Sequence, residues 1–169
     1  MTADLPLPRQ LRRSDATAVW RLIRETADLD QNSPYLYLML GTYFTETCAV
    51  LDAPGGGLAG VLTGFRPPED PGLLFVWQLA VAEEHRGRGV ARSLLDHVLS
   101  RHPDVDAVGA TIAPTNAASQ GVFLGLARDR GWHVAVEPFL LGSEMPAEAG
   151  EHDDESLFLV TRPGRGHSK

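Results

Sequence analysis

The sequence predicts an α/β fold, with about seven strands and about four helices built on one sheet. Two observations lead there. Short apolar runs bounded by Gly and Pro alternate with longer stretches whose apolar residues recur at helical spacing. One such run, Leu74 to Val81, passes through a Gly-rich turn directly into a striped helix. At 169 residues, 43% of them hydrophobic and 22% charged, the chain has the size and composition of a single globular domain. That domain is assigned to 1–162, with 163–169 expected as a disordered tail.

Gln10 to Arg13 ends a short first strand, and Ser14 is the expected cap of a helix with Ala16, Val19, Trp20, Ile23 and Ala27 on one face. After a polar loop from Asp28 to Asn32, Ser33-Pro34 supplies a capping serine and a proline at the first helical position. These start a second helix over Tyr35 to Phe44. Thr45 to Ala53 and Leu58 to Arg66 read as strands joined by the turn Pro54-Gly55-Gly56-Gly57. Pro67 to Gly72 can be neither helix nor inner strand, and it leads to Leu74 to Val81, where Phe75-Val76-Trp77 suggests burial on both faces.

In the next helix Val90, Ala91, Leu94, Leu95, Val98 and Leu99 form one apolar stripe. Val105 to Ile112 is a further strand. Asn116 to Arg130 is a helix ending at Gly131, with Ala118, Val122, Phe123, Leu126 and Ala127 inward. Trp132 to Val136 and Ser156 to Thr161 close the list of strands, separated by a loop containing Pro138, Gly142, Pro146 and Gly150.

A net charge of −7 and a pI near 5.3 argue against nucleic acid as the main partner and suit a cationic small molecule. No run is long enough to span a bilayer and the first residues lack a signal-peptide core, so the expected location is the cytoplasm. The single cysteine, Cys48, excludes an internal disulfide framework and reads as core filler ahead of nucleophile. The six histidines show no metal-ligand spacing, and no metal is expected.

The stretch Arg86-Gly87-Arg88-Gly89-Val90-Ala91 carries the chemistry. Two glycines let the backbone approach an anion, two arginines add charge, and the helix that opens there presents unpaired N–H groups. It has neither the Lys-Ser/Thr ending of a nucleotide P-loop nor the G-x-G-x-x-G order of a dinucleotide site. Arg86, Gly89 and Ala91, preceded by Leu79-Ala80-Val81, instead resemble the acyl-CoA pyrophosphate loop of the GNAT N-acetyltransferases. The order of elements is similar as well. The resemblance implies a central mixed, mostly antiparallel twisted sheet, acetyl-CoA as co-substrate, and a cofactor site built from Leu79, Val81, Arg86, Gly87, Arg88, Gly89, Val90 and Ala91.

It also implies a place on the cofactor side for Asn116, whose other reading is a helix cap. Seven residues on, where many members carry a proton-donating tyrosine, this chain has Phe123, which has no proton to give.

Three further segments, Leu29 to Tyr35, Gly64 to Pro68 with Leu74 to Gln78, and His152 to Phe158, are together similar to the L-2,4-diaminobutyrate acetyltransferases of ectoine synthesis. This implies transfer of an acetyl group to the γ-amine of diaminobutyrate, a role in making a compatible solute for osmoadaptation, and a homodimer. Asp30, Asn32, Tyr35 and Trp77 are the candidate substrate residues, with capping or core packing as their other readings. Glu155 and His152 are the candidate base or proton relay; their other reading is a solvated charge run, His152-Asp153-Asp154-Glu155. A GNAT enzyme acting on another small amine or a protein N-terminus, and a silent acetyl-CoA-binding module, are the alternatives.

Overall fold

The computed structural model describes residues 5–26, 29–146 and 152–165. Seven strands lie in one sheet, in the order β1-β2-β3-β4-β5-β7-β6: β1 Arg9–Gln10, β2 Ala49–Asp52, β3 Leu58–Phe65, β4 Leu73–Val81, β5 Ala107–Ile112, β6 His133–Leu140 and β7 Glu155–Thr161. The helices are α1 Ala16–Glu25, α2 Pro34–Tyr43, α3 Val90–Arg101 and α4 Ala117–Arg130. The chain forms two compact units, one of residues 1–66 and 76–104, the other of 67–75 and 105–169. Strand β4 contributes its first three residues to the second unit and the rest to the first.

In the first unit β1 pairs antiparallel with β2 and β2 with β3. Leu11, Val19, Ile23, Tyr37, Cys48, Val50, Val61 and Ala80 make a continuous core. Helix α1 begins after a 3-10 turn, Arg13–Asp15, and Ser14 does not cap it. Asp15 is the N-cap residue of α1 but its side chain makes no bond to that helix; the carboxylate turns back, accepting from the Arg12 N–H at 2.8 Å and from the Arg9 guanidinium at 2.8 and 3.0 Å. Ala16, Val19, Leu22 and Ile23 are the buried face of α1, Trp20 is partly buried beneath Arg24, and Ala27 lies outside the described residues. Helix α2 starts as expected, with the Ser33 hydroxyl accepting from the Tyr35 N–H and Pro34 at its first position.

Strand β4 departs from the expected burial on both faces. Burial alternates, with Leu74, Val76, Gln78 and Ala80 inside and Trp77 half exposed on the other face. On α3 Val90, Leu94, Leu95, Val98 and Leu99 are buried, and Gly60 of β3 gives the helix room to approach.

In the second unit, Leu73, Leu74 and Phe75 pair in parallel with Ala107, Val108 and Gly109, whereas β5–β7 and β7–β6 are antiparallel. Phe123, Leu126 and Ala127 are the buried residues of α4; Ala118 is exposed in the first turn. Strand β6 continues past its expected end at Val136 to Leu140, running through Pro138 with an irregularity in register before Leu140. Proline is tolerated there because β6 is last in the strand order, so its missing N–H is not required by a further strand. Of the expected tail, residues 166–169 lie outside the described residues, while Arg165 is ion-paired to both Asp70 and Asp106.

Candidate active site

The Gly-rich turn folds as a left-handed device. Gly87 and Gly89 have φ of 70° and 78°, and Gly89 is the N-cap residue of α3. A residue with a Cβ pays for this conformation, and a Cβ would also stand in the space where an anion meets the backbone. That space is open: nothing lies within 4 Å of a Cβ built on either glycine. Residues 86–89 are exposed, whereas the Val90 side chain is buried, so Val90 offers a ligand its backbone N–H alone. The Arg86 guanidinium donates to the Val81 carbonyl at 3.4 Å and Arg88 meets His85 Nδ1 at 3.2 Å, which keeps both arginines over the turn. Two cations, the helix N-terminus and the glycine backbone therefore converge, as a pyrophosphate requires. Ala91 is partly buried one residue further on.

Leu79 and Val81 share the face of Trp77, and all three are at least partly accessible. The Trp77 ring meets Phe65 edge-on, with centroids 6.0 Å apart and planes at 67°. The opposite face carries a buried polar network that sequence reasoning missed. The Tyr37 hydroxyl donates to Gln78 Oε1 at 3.0 Å, and Gln78 Nε2 donates to the Asp30 carbonyl at 2.8 Å. Burial pushes the Tyr37 hydroxyl above its ordinary pKa, only partly offset by Asn32 and Gln78 acting on the same phenol. The signal was present in the alternation of β4, which puts Gln78 on the same side as Val76 and Ala80 and so demands a partner for its amide. Asp30 and Tyr35 are exposed and Asn32 partly so; the network ties Asp30 and Asn32 to β4.

The other candidates belong to the second unit. Asn116 caps α4, its Oδ1 accepting from the Ser119 N–H at 3.0 Å. Phe123 is buried on the inner face of that helix, 2% exposed, as a core residue. Glu155 is the first residue of β7, opposite Leu140, and is partly exposed, as is His152. Between them Asp154 has a structural task, accepting from the Gly142 N–H at 2.8 Å. The charge run is thus divided, with one carboxylate fastening a turn and Glu155 starting a strand. Arg66, just after β3, is ion-paired to Asp104.

Cys48 is fully buried, and loss of solvent pushes its thiol up to about 11, which suits a core residue and not a nucleophile. Among the described residues no group of three or more His, Cys, Asp or Glu side chains could hold a metal ion, and no helix is long and apolar enough to cross a membrane.

Comparison with known proteins agrees with this geometry. Residues 11–126 match the acetyltransferase (GNAT) family. The L-2,4-diaminobutyric acid acetyltransferase of Bordetella parapertussis is 38% identical over 154 residues, 90% of this chain and 82% of that protein. Its counterpart in Chromohalobacter salexigens is 39% identical over 157 residues, covering 90% and 79%. The structure of diaminobutyrate acetyltransferase from Paenibacillus lautus, in complex with L-2,4-diaminobutyric acid and coenzyme A, is similar with a TM-score of 0.89 at 35% identity, covering 98% of this chain and 99% of that one. An acetyltransferase of Salmonella typhimurium with acetyl-CoA, 16% identical with a TM-score of 0.70 and covering 99% and 98%, shares the fold. The left-handed glycine turn, the seven-stranded mixed sheet and these relatives give one answer: the chain belongs to the GNAT acetyltransferase family, among the L-2,4-diaminobutyric acid acetyltransferases.

Proposed function

We propose that the protein transfers an acetyl group from acetyl-CoA to the γ-amine of L-2,4-diaminobutyrate, giving Nγ-acetyl-2,4-diaminobutyrate and CoA. The observation that carries this reading is the likeness, over nearly the full length, to an enzyme bound to diaminobutyrate and coenzyme A. In this reading the Gly87–Gly89 turn, Arg86, Arg88 and the N–H groups of Val90 and Ala91 hold the donor's pyrophosphate, while Leu79 and Val81 offer the backbone of β4 to its arm. Bound acetyl-CoA supplies the thioester. Asn116 has its Oδ1 engaged in capping, which leaves its amide N–H groups for the donor side.

Diaminobutyrate brings two ammonium groups, and Asp30 and Glu155 supply carboxylates to meet them. An amine of pKa about 10 costs roughly 4 kcal/mol to deprotonate at pH 7, so the attacking nitrogen needs a proton acceptor. Glu155, with His152 as the relay, takes that role. Asn32 and Tyr35 flank Asp30 as polar contacts, and Trp77 walls the site from β4. With Phe123 in the core, the leaving thiolate takes its proton from water, which its pKa of about 8.5 permits.

The product serves ectoine synthesis and osmoadaptation in the cytoplasm, no metal takes part, and residues 1–162 act as one domain. The protein is a homodimer in this reading. Its exposed apolar residues Val134, Val136, Phe139 and Leu141 on and beside β6, the last strand in the order, are the surface that supports it; the mass in solution tests it. Incubation with acetyl-CoA and diaminobutyrate tests the activity. Thiol release with an amide proton coupled to the γ-methylene is the expected result. Release with lysine or a peptide amine, and none with diaminobutyrate, would overturn the assignment.

A further inference from the structure

Gln78 is a polar side chain held in hydrocarbon, 4% exposed at the middle of β4 between Val76 and Ala80 on the same face. Burying an amide in such a place is costly unless its groups are bonded. Both ends of the Gln78 amide are bonded, Oε1 accepting from the Tyr37 hydroxyl at 3.0 Å and Nε2 donating to the Asp30 carbonyl at 2.8 Å, and its backbone N–H donates to Thr63 Oγ1 at 3.2 Å. A carbonyl can only accept, so the Asp30 bond fixes the amide with its nitrogen toward residue 30 and its oxygen toward the phenol. Glutamate would set a carboxylate oxygen against the Asp30 carbonyl. Leucine or methionine would strand the phenol and the carbonyl together. The position therefore requires a group that accepts at one end and donates at the other.

The segment so fastened carries Asp30 and Asn32, and Asn32 also acts on the Tyr37 phenol. We propose that Gln78 is a positioning residue for the acceptor amine. It clasps the Asp30–Asn32 segment to β4, directly at Asp30 and through Tyr37 at Asn32, one residue before the stretch Leu79–Val81 that meets the donor. A single strand residue thereby fixes where the acceptor's binding segment sits relative to the donor strand. The inference rests on the proposed function and adds to it a residue that touches neither substrate.

Gln78→Met and Tyr37→Phe test it, with steady-state kinetics for both substrates and amide hydrogen exchange over residues 30–32. Gln78→Met is expected to raise the KM for diaminobutyrate about tenfold while the KM for acetyl-CoA stays within about twofold, and to speed exchange over the segment. Tyr37→Phe, which keeps the bond to Asp30, should shift both readouts the same way by less. Unchanged exchange, an unchanged KM for diaminobutyrate, or an equal rise in both KM values would overturn the proposal. Should Gln78→Met fail to fold, Tyr37→Phe decides on the same two readouts. Absence of turnover in the unaltered protein would strike the proposed function instead, and exchange in the two variants would still decide whether the clasp exists.

Discussion

Gly60 of β3 lies directly against Val90, the first residue of α3: a Cβ added to Gly60 would come within 2.6 Å of Val90 Cγ1 and 3.1 Å of the Ala80 carbonyl. Val90 is β-branched and held to one rotamer in a helix, and the Ala80 oxygen on the other side is backbone, so the added methyl pushes on the helix start. Gly60→Ala should cost roughly 1–3 kcal/mol, as overpacking does, and weaken acetyl-CoA binding by shifting the N–H groups that follow Gly89. Thermal melting and calorimetric titration with CoA read the two effects.

Gly89 makes a separate demand, conformational and not spatial. Its φ of 78° suits glycine, while the room beside it is free. Gly89→Ala should cost about 1 kcal/mol through backbone strain and raise the KM for acetyl-CoA several-fold. Gly55→Ala, in open space outside the left-handed region, is the control and should alter neither melting temperature nor KM.

Glu155 is the residue whose loss should be felt in turnover. On the proposed role, Glu155→Gln lowers kcat about a hundredfold or more near pH 7 and recovers part of it as pH rises and more amine is free. His152→Gln should lower kcat less. A pH series of kcat for the three proteins checks this, and an unaltered kcat in Glu155→Gln would remove it from the mechanism.

Acid stability should be governed in part by Asp15. Burial alone would raise its pKa, but the hydrogen bonds from Arg9 and the Arg12 N–H together hold it below the ordinary carboxylate value. With a folded-state pKa below the unfolded one, its contribution is complete above the unfolded pKa of about 4 and is lost as pH falls through the lower, folded value. Melting temperatures should therefore drop on acidification below about pH 4, more steeply in the unaltered protein than in Asp15→Asn.

Cys48 offers a simple check on the core. With its thiol pushed up to about 11 and no exposure, it should resist alkylation at pH 8 in the folded protein and react once unfolded. Rapid labelling under native conditions would contradict the burial.

Much of this was legible from local rules. The run from β4 through two glycines into α3 needs only an apolar strand, two positions that tolerate positive φ and a striped helix, and all three are written locally. Ser33-Pro34 is a similar case. Where the reading failed, distant residues had decided. Ser14 lies inside the 3-10 turn that Asp15 closes, and Arg9, itself pinned to Asp52, holds that aspartate. Strand β6 ran on through Pro138 because β7 offered partners on one side only. The pairing of Tyr37 with Gln78 joins residues forty-one apart: the alternation of β4 says that Gln78 needs a partner, but not which one. The donor motif is contiguous and so was visible at once; the residues proposed for the acceptor are scattered along the sequence at Asp30, Trp77 and Glu155, and motif reading named them without the Gln78 hydrogen bonds.

The ion pairs of Arg165 with Asp70 and Asp106 bear on the order in which the chain can fold as it is made. Residues 67–75 leave the ribosome before β5, with which Leu73–Phe75 pair, and the arginine that locks Asp70 to Asp106 follows β7. Leu73–Phe75 therefore wait for β5 before their parallel pairing can form. A chain stalled after Arg162 would carry the carboxylates of Asp70 and Asp106, ahead of β4 and β5, without the guanidinium that joins them, so the two strand starts would be tied by backbone pairing alone.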